Sequence, residues 1–335
     1  MEVKGHEIPI NLLSLIAIYF RLPNNHEKSA TINNEITNYY SGYKGELAND
    51  YFIQFIDRDD MLILHDLRLP FMKSFYQIDT LILTSYFFLI IEIKNLSNFI
   101  RFNHEKGDMY QQTDLEKRTF QDPILQADAQ VHQFKSFLYQ LGLTNVHVET
   151  LVSFVNQNAT LAEERDPRII YGYQLKQKFD ELLNKYPGIK VNQQKLEFLS
   201  NTLIKKNRPL HSDMMKKQGI KAHDLTYGIL CPTCLKLSSK RQQSKWICSF
   251  CRESVRSYFM RTFIEYALIF DNTITNKKAR KMLGINSSDA MQKIFQRSRF
   301  DYFGEKGNRV YQLNFDFQKD SAYLIDYYLR LKNLN

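Results

Sequence analysis

Two groups of residues in this 335-residue chain have the types and spacing to do chemistry. The first is Cys231-Pro232-Thr233-Cys234 followed, after 13 residues, by Cys248-Ser249-Phe250-Cys251, which together hold every cysteine present. Each knuckle presents two thiolates, and two knuckles complete the tetrahedral shell of a structural Zn²⁺ with no position left open. A redox pair or an iron–sulfur cluster would be the competing uses, and the absence of any further cysteine favours zinc. The second group is Asp79, Glu92 and Lys94. Side chains alternate along a strand, so Glu92 and Lys94 share one face while Ile91 and Ile93 share the other. Two charges side by side in the apolar run 87–93 are costly unless something compensates them. A divalent cation does so: Asp79 and Glu92 offer hard oxygen ligands for Mg²⁺ or Mn²⁺, and Glu46 could add a third. Lys94 can then hold a water or a phosphate oxygen. The competing reading is an ordinary ion pair on a sheet face, with Asp79 as a strand-end residue.

The elements around these residues follow from periodicity. Residues 42–56 read as an amphipathic helix, with Leu47, Tyr51, Phe52 and Phe55 at helical spacing. Residues 61–69, 77–83 and 86–94 read as three strands, separated by the polar breaks Lys73-Ser74 and Thr84-Ser85. The last two are a short turn apart, which predicts an antiparallel hairpin carrying Asp79 on one arm and Glu92 and Lys94 on the other. Residues 96–121 are polar and read as irregular. Asp122-Pro123 then opens a helix, because Asp can cap the free amides and Pro fits the first turn. Its apolar face is Ile124, Val131, Phe134, Phe137, Leu138 and Leu141, closed by Gly142, and a strand at 146–155 follows. Helix, three strands, helix, strand is an α/β core.

Gly45-Glu46, Gln77-Ile78-Asp79, Ile91-Glu92-Ile93-Lys94-Asn95 and Asp122-Pro123-Ile124-Leu125-Gln126 occur in this order over residues 36–160. Together they resemble the nuclease-related domain (NERD), a branch of the PD-(D/E)xK phosphodiesterase superfamily. The resemblance implies a mixed sheet flanked by helices, in which Glu46, Asp79 and Glu92 bind Mg²⁺ and Lys94 assists phosphodiester hydrolysis. It also implies that Gln126 positions water or substrate and that Gln77, preceding the aspartate, lies at the nucleic acid. The chain departs from the family at Leu96-Ser97-Asn98, where a glycine is usual, and has no tryptophan up to Gln121, where members often carry one. Neither position is among the catalytic residues, so these departures bear on the substrate groove. His104 and His132 flank the motifs and read as surface or helix-face residues.

Charge divides the chain. Residues 1–160 hold 13 Lys and Arg against 19 Asp and Glu, a net of −6; residues 161–335 hold 32 against 17, a net of +15. An acidic half suits cations and a basic half suits polyanions. The expected organisation is an N-terminal extension (1–35), the nuclease domain (36–160), a basic and mainly helical connector (161–222), a topoisomerase-type zinc ribbon (223–256) and a winged-helix-like α+β module (257–335). In the last, the predicted order is helix, turn, helix and glycine-rich hairpin, with Ser287 or Ser288 capping the second helix. Lys277, Lys278, Lys293 and Arg297 on the helices and Lys306 and Arg309 on the wing would contact DNA, as would Lys240, Arg241 and Lys245 on the ribbon. A solvated basic surface, and a plain packing or dimerisation module, are the competing readings.

The leading expectation is a Mg²⁺-dependent nuclease acting on DNA. An inactive DNA-binding or regulatory protein on the same scaffold and an RNA-directed nuclease are the alternatives, with the oligomeric state, including a homodimer, left open. Cysteines confined to one cluster point to a reducing, cytoplasmic location. The apolar run at residues 8–20 is about a dozen residues long, short of the ~20 that span a bilayer. It reads as a core element and not as a signal or anchor, so no membrane partner is expected.

Overall fold

A computed structural model of the protein describes all residues except 24, 57, 114–115, 238, 243–244, 255–257, 306 and 334–335, and the side chains of 239–242 and 245. In chain order the elements begin β1 (Glu2–Lys4), α1 (Ile10–Arg21), α2 (Ser29–Ile53), β2 (Leu62–Phe71), β3 (Ser74–Leu83) and β4 (Phe87–Lys94). Next come β5 (Asn98–Asn103), β6 (Asp108–Gln112), β7 (Lys117–Gln121), α3 (Pro123–Gln140), β8 (His147–Phe154), β9 (Ala159–Leu161) and β10 (Ile169–Tyr171). Three helices, α4 (Leu175–Lys185), α5 (Gln193–Lys206) and α6 (Met214–Gln218), lead to the hairpin β11 (Ser239–Gln242) and β12 (Lys245–Cys248). The chain continues with α7 (Phe259–Ile269), β13 (Thr273–Thr275), α8 (Asn276–Leu283), α9 (Ser288–Ser298), β14 (Tyr302–Phe303) and β15 (Val310–Gln312). It ends with α10 (Phe317–Asp320) and α11 (Tyr323–Asn333). Two compact units form, residues 1–7 with 41–209 and residues 8–40 with 210–335.

The first unit is a mixed six-stranded sheet in the order β1-β2-β3-β4-β8-β10, flanked by helices. Strand β3 pairs antiparallel with both β2 and β4, and β4 pairs in parallel with β8. The alternation of β4 separates two cores. Phe88 and Ile90 join Phe134 and Phe137 of α3 and Leu196, Leu199 and Leu203 of α5. Phe87, Leu89 and Ile91 face the other way, onto Leu175 and Phe179 of α4. The cap expected for α3 is made, with the Asp122 carboxylate accepting from the Ile124 amide at 2.9 Å and Pro123 in the first turn.

Three expectations are corrected here. The helix read at 42–56 runs from Ser29 to Ile53. Residues 96–121 are not irregular: β5, β6 and β7 pair with β9 in a second sheet of order β7-β6-β5-β9. In β5 the buried Ile100 and Phe102 alternate with the exposed Phe99 and Arg101, a period that the polar neighbours concealed. Residues 161–209 belong to the first unit, with β10 in the sheet and α4 and α5 on its two faces, so they are more than a connector.

In the second unit the apolar run 8–20 forms α1, with Leu12, Leu13, Leu15 and Ile16 fully buried. The Ser14 hydroxyl donates to the Leu268 carbonyl of α7 at 2.9 Å, and the buried Arg21 forms an ion pair with Glu265. Residues 8–35 are therefore core, not an extension. Further along, α7, α8 and α9 surround a three-stranded sheet of order β13-β15-β14. Ser287 caps α9 by accepting from the Ala290 amide at 3.2 Å. Among the described residues no helix is long and apolar enough to cross a membrane.

Candidate active site

Strand register collects the carboxylates of the first unit. Pairing of His65 with Thr80 and of Leu67 with Ile78 leaves Asp66 and Asp79 in facing positions on β2 and β3. Pairing of Thr80 with Ile91 puts Asp79 opposite Glu92 on β4. Three acids thus occupy one row across three adjacent strands. Like charges in such a row repel, and the row interrupts the β2–β3 ladder at Asp66, whose φ is +51°. Asp79 turns toward β4 and accepts from the Ile93 amide at 2.9 Å. Glu92 is 2% exposed and receives the Lys94 ammonium on Oε1 at 2.6 Å. Asp79, Glu92 and Lys94 are thus brought together as the two-residue strand period requires.

Two helices complete the cluster. Gly45 is buried where α2 crosses the end of β4, which lets Glu46 approach Asp79 and Glu92 closely enough to act on their charge. From α3, the Gln126 carbonyl accepts from Lys94 Nζ at 3.2 Å, and one turn later Gln130 donates to Glu92 Oε2 at 2.7 Å. Gln77 is exposed and its amide lies 3.5 Å from Asp79 Oδ1. His104 instead pairs with the capping Asp122, and His132 packs against Phe71.

Sequence reasoning missed Gln130 and Asp66. The i,i+4 spacing of Gln126 and Gln130 was the available signal for the first. Asp66 had none, because its place depends on register and on a residue outside the strands: its carboxylate accepts from the Glu7 amide at 2.8 Å and contacts His6 Nδ1 at 3.4 Å.

Charge in this cluster is under pressure. Burial, then the nearby Glu92 and Glu46 carboxylates, push the Asp79 carboxyl well above the usual carboxylate range. Burial and the neighbouring Asp66 carboxylate push Glu46 up to about 7. Buried acids that hinder one another's ionisation are a donor set lacking positive charge, and all their oxygens are hard. The donor types therefore suit a hard divalent cation, and Glu46 also lies within 4.8 Å of His6 and Asp66.

The cysteines converge in the second unit. Cys231 Sγ lies 3.5 Å from Cys251 Sγ and Cys234 Sγ 3.6 Å from Cys248 Sγ, and all four are free thiols within 4.8 Å of one another. Zinc–thiolate bonds of about 2.3 Å give a tetrahedron with edges of about 3.8 Å, so the spacing fits. The knuckles repeat one local geometry. In each, the residue after the second cysteine has a positive φ, +54° at Leu235 and +65° at Arg252, and its amide donates to the carbonyl of the first, at 3.0 and 3.1 Å. Trp246 and Ile247 lie on β12, which pairs with β11.

The remaining basic residues are spread over the second unit. Lys277 and Lys278 on α8 and Lys293 and Arg297 on α9 are exposed. On α9 the buried Met291, Ile294 and Phe295 place Lys293, Gln296 and Arg297 on the solvent side. The Arg309 guanidinium sits 4.3 Å from the centre of the Tyr302 ring. Lys306, and the side chains of Lys240, Arg241 and Lys245, lie outside the described residues.

Residues 41–155 match the family model of the nuclease-related domain. No curated protein and no solved structure matches the chain.

Proposed function

We propose, from the match of residues 41–155 to the model of the nuclease-related domain, that the protein is a Mg²⁺-dependent nuclease hydrolysing DNA phosphodiester bonds. The observation carrying this reading is the convergence of Asp79, Glu92 and Lys94, with Glu46 and Gln126, at one place on the sheet. Asp79, Glu92 and Glu46 would hold Mg²⁺ or Mn²⁺, which supplies Lewis-acid polarisation of the phosphate and a more acidic water. The Lys94 ammonium contacts Glu92 and acts on the charge of Asp79. Held between Glu92 and Gln126, it orients the attacking water and offsets charge developing on the phosphate. Gln126 fixes Lys94 and can hydrogen-bond water or substrate, while Gln130 fixes Glu92. Gln77, exposed beside Asp79, would meet the nucleic acid.

The basic second unit would hold the substrate. Its order of helix, strand, two helices and hairpin fits a winged helix, with α9 presenting Lys293 and Arg297 to a groove and Lys277, Lys278 and Arg309 to phosphates. The four cysteines would hold a structural Zn²⁺ in a ribbon whose Lys240, Arg241 and Lys245 add positive charge.

The test is incubation of the full chain with supercoiled, linear, single-stranded and nicked DNA, and with RNA, each with and without Mg²⁺ or Mn²⁺. DNA cleavage that needs the metal and falls by at least ~100-fold in Asp79→Asn and Lys94→Ala is expected. No cleavage of any substrate, with binding retained, would establish a non-catalytic DNA-binding protein instead; cleavage confined to RNA would reassign the substrate.

A further inference from the structure

Beside the acidic row lies a second cluster that the nuclease chemistry does not use. His6 stacks on His65 with ring centres 3.9 Å apart. His6 Nε2 lies 3.2 Å from Asp50 Oδ1, and His65 Nε2 faces the same oxygen at 3.8 Å, too far for a hydrogen bond. The two imidazoles are sequestered, with side chains 5% and 2% exposed, whereas Asp50 is 39% exposed and so opens the cluster to solvent. Asp50 is one helical turn beyond Glu46 on α2, so one helix face addresses both clusters.

We infer that His6, Asp50 and His65 form a second cation site, for a borderline divalent metal of the Zn²⁺ class. Two imidazoles and one carboxylate are a donor set that such ions accept and that Mg²⁺ avoids. Three facts carry the assignment. The ligand atoms of all three residues lie within 4.8 Å of one another. His65 Nε2 faces Asp50 Oδ1 at 3.8 Å, while its Nδ1 is fixed by the Thr80 hydroxyl at 3.0 Å. This ring is oriented from behind, as metal-binding histidines generally are. His6 is held in the same manner, its Nδ1 on Asp66 at 3.4 Å leaving Nε2 for Asp50.

The alternative is a metal-free clamp in which a charged His6 bridges Asp50 and Asp66. Equilibrium dialysis of the full chain against Zn²⁺, with metal counted per chain, separates the two. Wild type and Asp79→Asn should each hold one equivalent more than His6→Ala and His65→Ala, because the cysteine cluster is intact in all four. Co²⁺ loaded at this site should add visible absorption without thiolate charge transfer, and His6→Ala should remove that component. His6→Gln keeps a hydrogen-bonding group between the two aspartates; with unchanged thermal unfolding and one equivalent lost, it covers the case in which the alanine variants fail to fold. Equal zinc counts in wild type and folded His6 and His65 variants would overturn the site. Nuclease activity plays no part in this readout.

Discussion

A Cβ placed on Gly45 would lie 2.5 Å from the Cβ of Asn95. The Asn95 side chain cannot swing away, because its amide donates to the Ser41 carbonyl at 2.8 Å and its carbonyl accepts from Asn156 at 2.9 Å. Helix α2 therefore approaches the end of β4 at a distance that only glycine allows, and Glu46, the next residue, gains its reach from that approach.

Gly45→Ala should for this reason destabilise the first unit. Removing a helical glycine gains at most about 1 kcal/mol, whereas overpacking a fixed contact costs about 1–3 kcal/mol. Urea unfolding should show the net loss, and cleavage should fall further than stability because Glu46 is displaced. A more stable and fully active Gly45→Ala would refute the account.

Metal binding should depend on pH through Glu46. Its folded pKa of about 7 stands above the ordinary 4.5, so the folded metal-free protein holds a proton that the unfolded chain has lost. Stability from this group is full below about pH 4.5 and declines as pH rises toward 7. Mg²⁺ competes with that proton. The thermal shift produced by Mg²⁺ should therefore grow between about pH 5.5 and 7.5, and Glu46→Gln should weaken that dependence, leaving the part set by the raised Asp79 carboxyl. A shift independent of pH in wild type would argue against Glu46 as a ligand.

Loss of the thiolate-bound zinc should act on the second unit. Cys248→Ser should release the thiolate-bound zinc and loosen the packing of Cys231, Trp246 and Cys248 against Phe263 and Tyr266. Near-ultraviolet dichroism of the lone Trp246 reports this directly. The Mg²⁺-induced thermal shift of the first unit should persist.

DNA affinity should carry the basic charge of the second unit. Truncation near residue 222 is a poor test, because residues 8–40 build their core with residues 210–335 and would be left without it. Lys293→Glu with Arg297→Glu leaves that core untouched. It should lower affinity and reduce the slope of log affinity against log salt by roughly 0.9 for each phosphate that is no longer neutralised. An unchanged slope would remove α9 from the interface.

Much of this protein was legible before any fold was known. The two-residue period of β4 put Glu92 beside Lys94, the Asp122-Pro123 pair set the start of α3, and the two cysteine knuckles announced four thiols within metal-binding reach of one another. All are consequences of local geometry, which a chain carries in its order. Tertiary structure decided the rest. Asp66 joins Asp79 and Glu92 only through register across three strands. His6 reaches Asp50, His65 and Asp66 only because β1 is a parallel edge strand beside β2. Residues 8–40 leave the first unit for the second, although they lie between two of its segments. Pairings between residues 44 to 60 positions apart are chosen by which apolar faces can be buried together, and no short spacing records that choice.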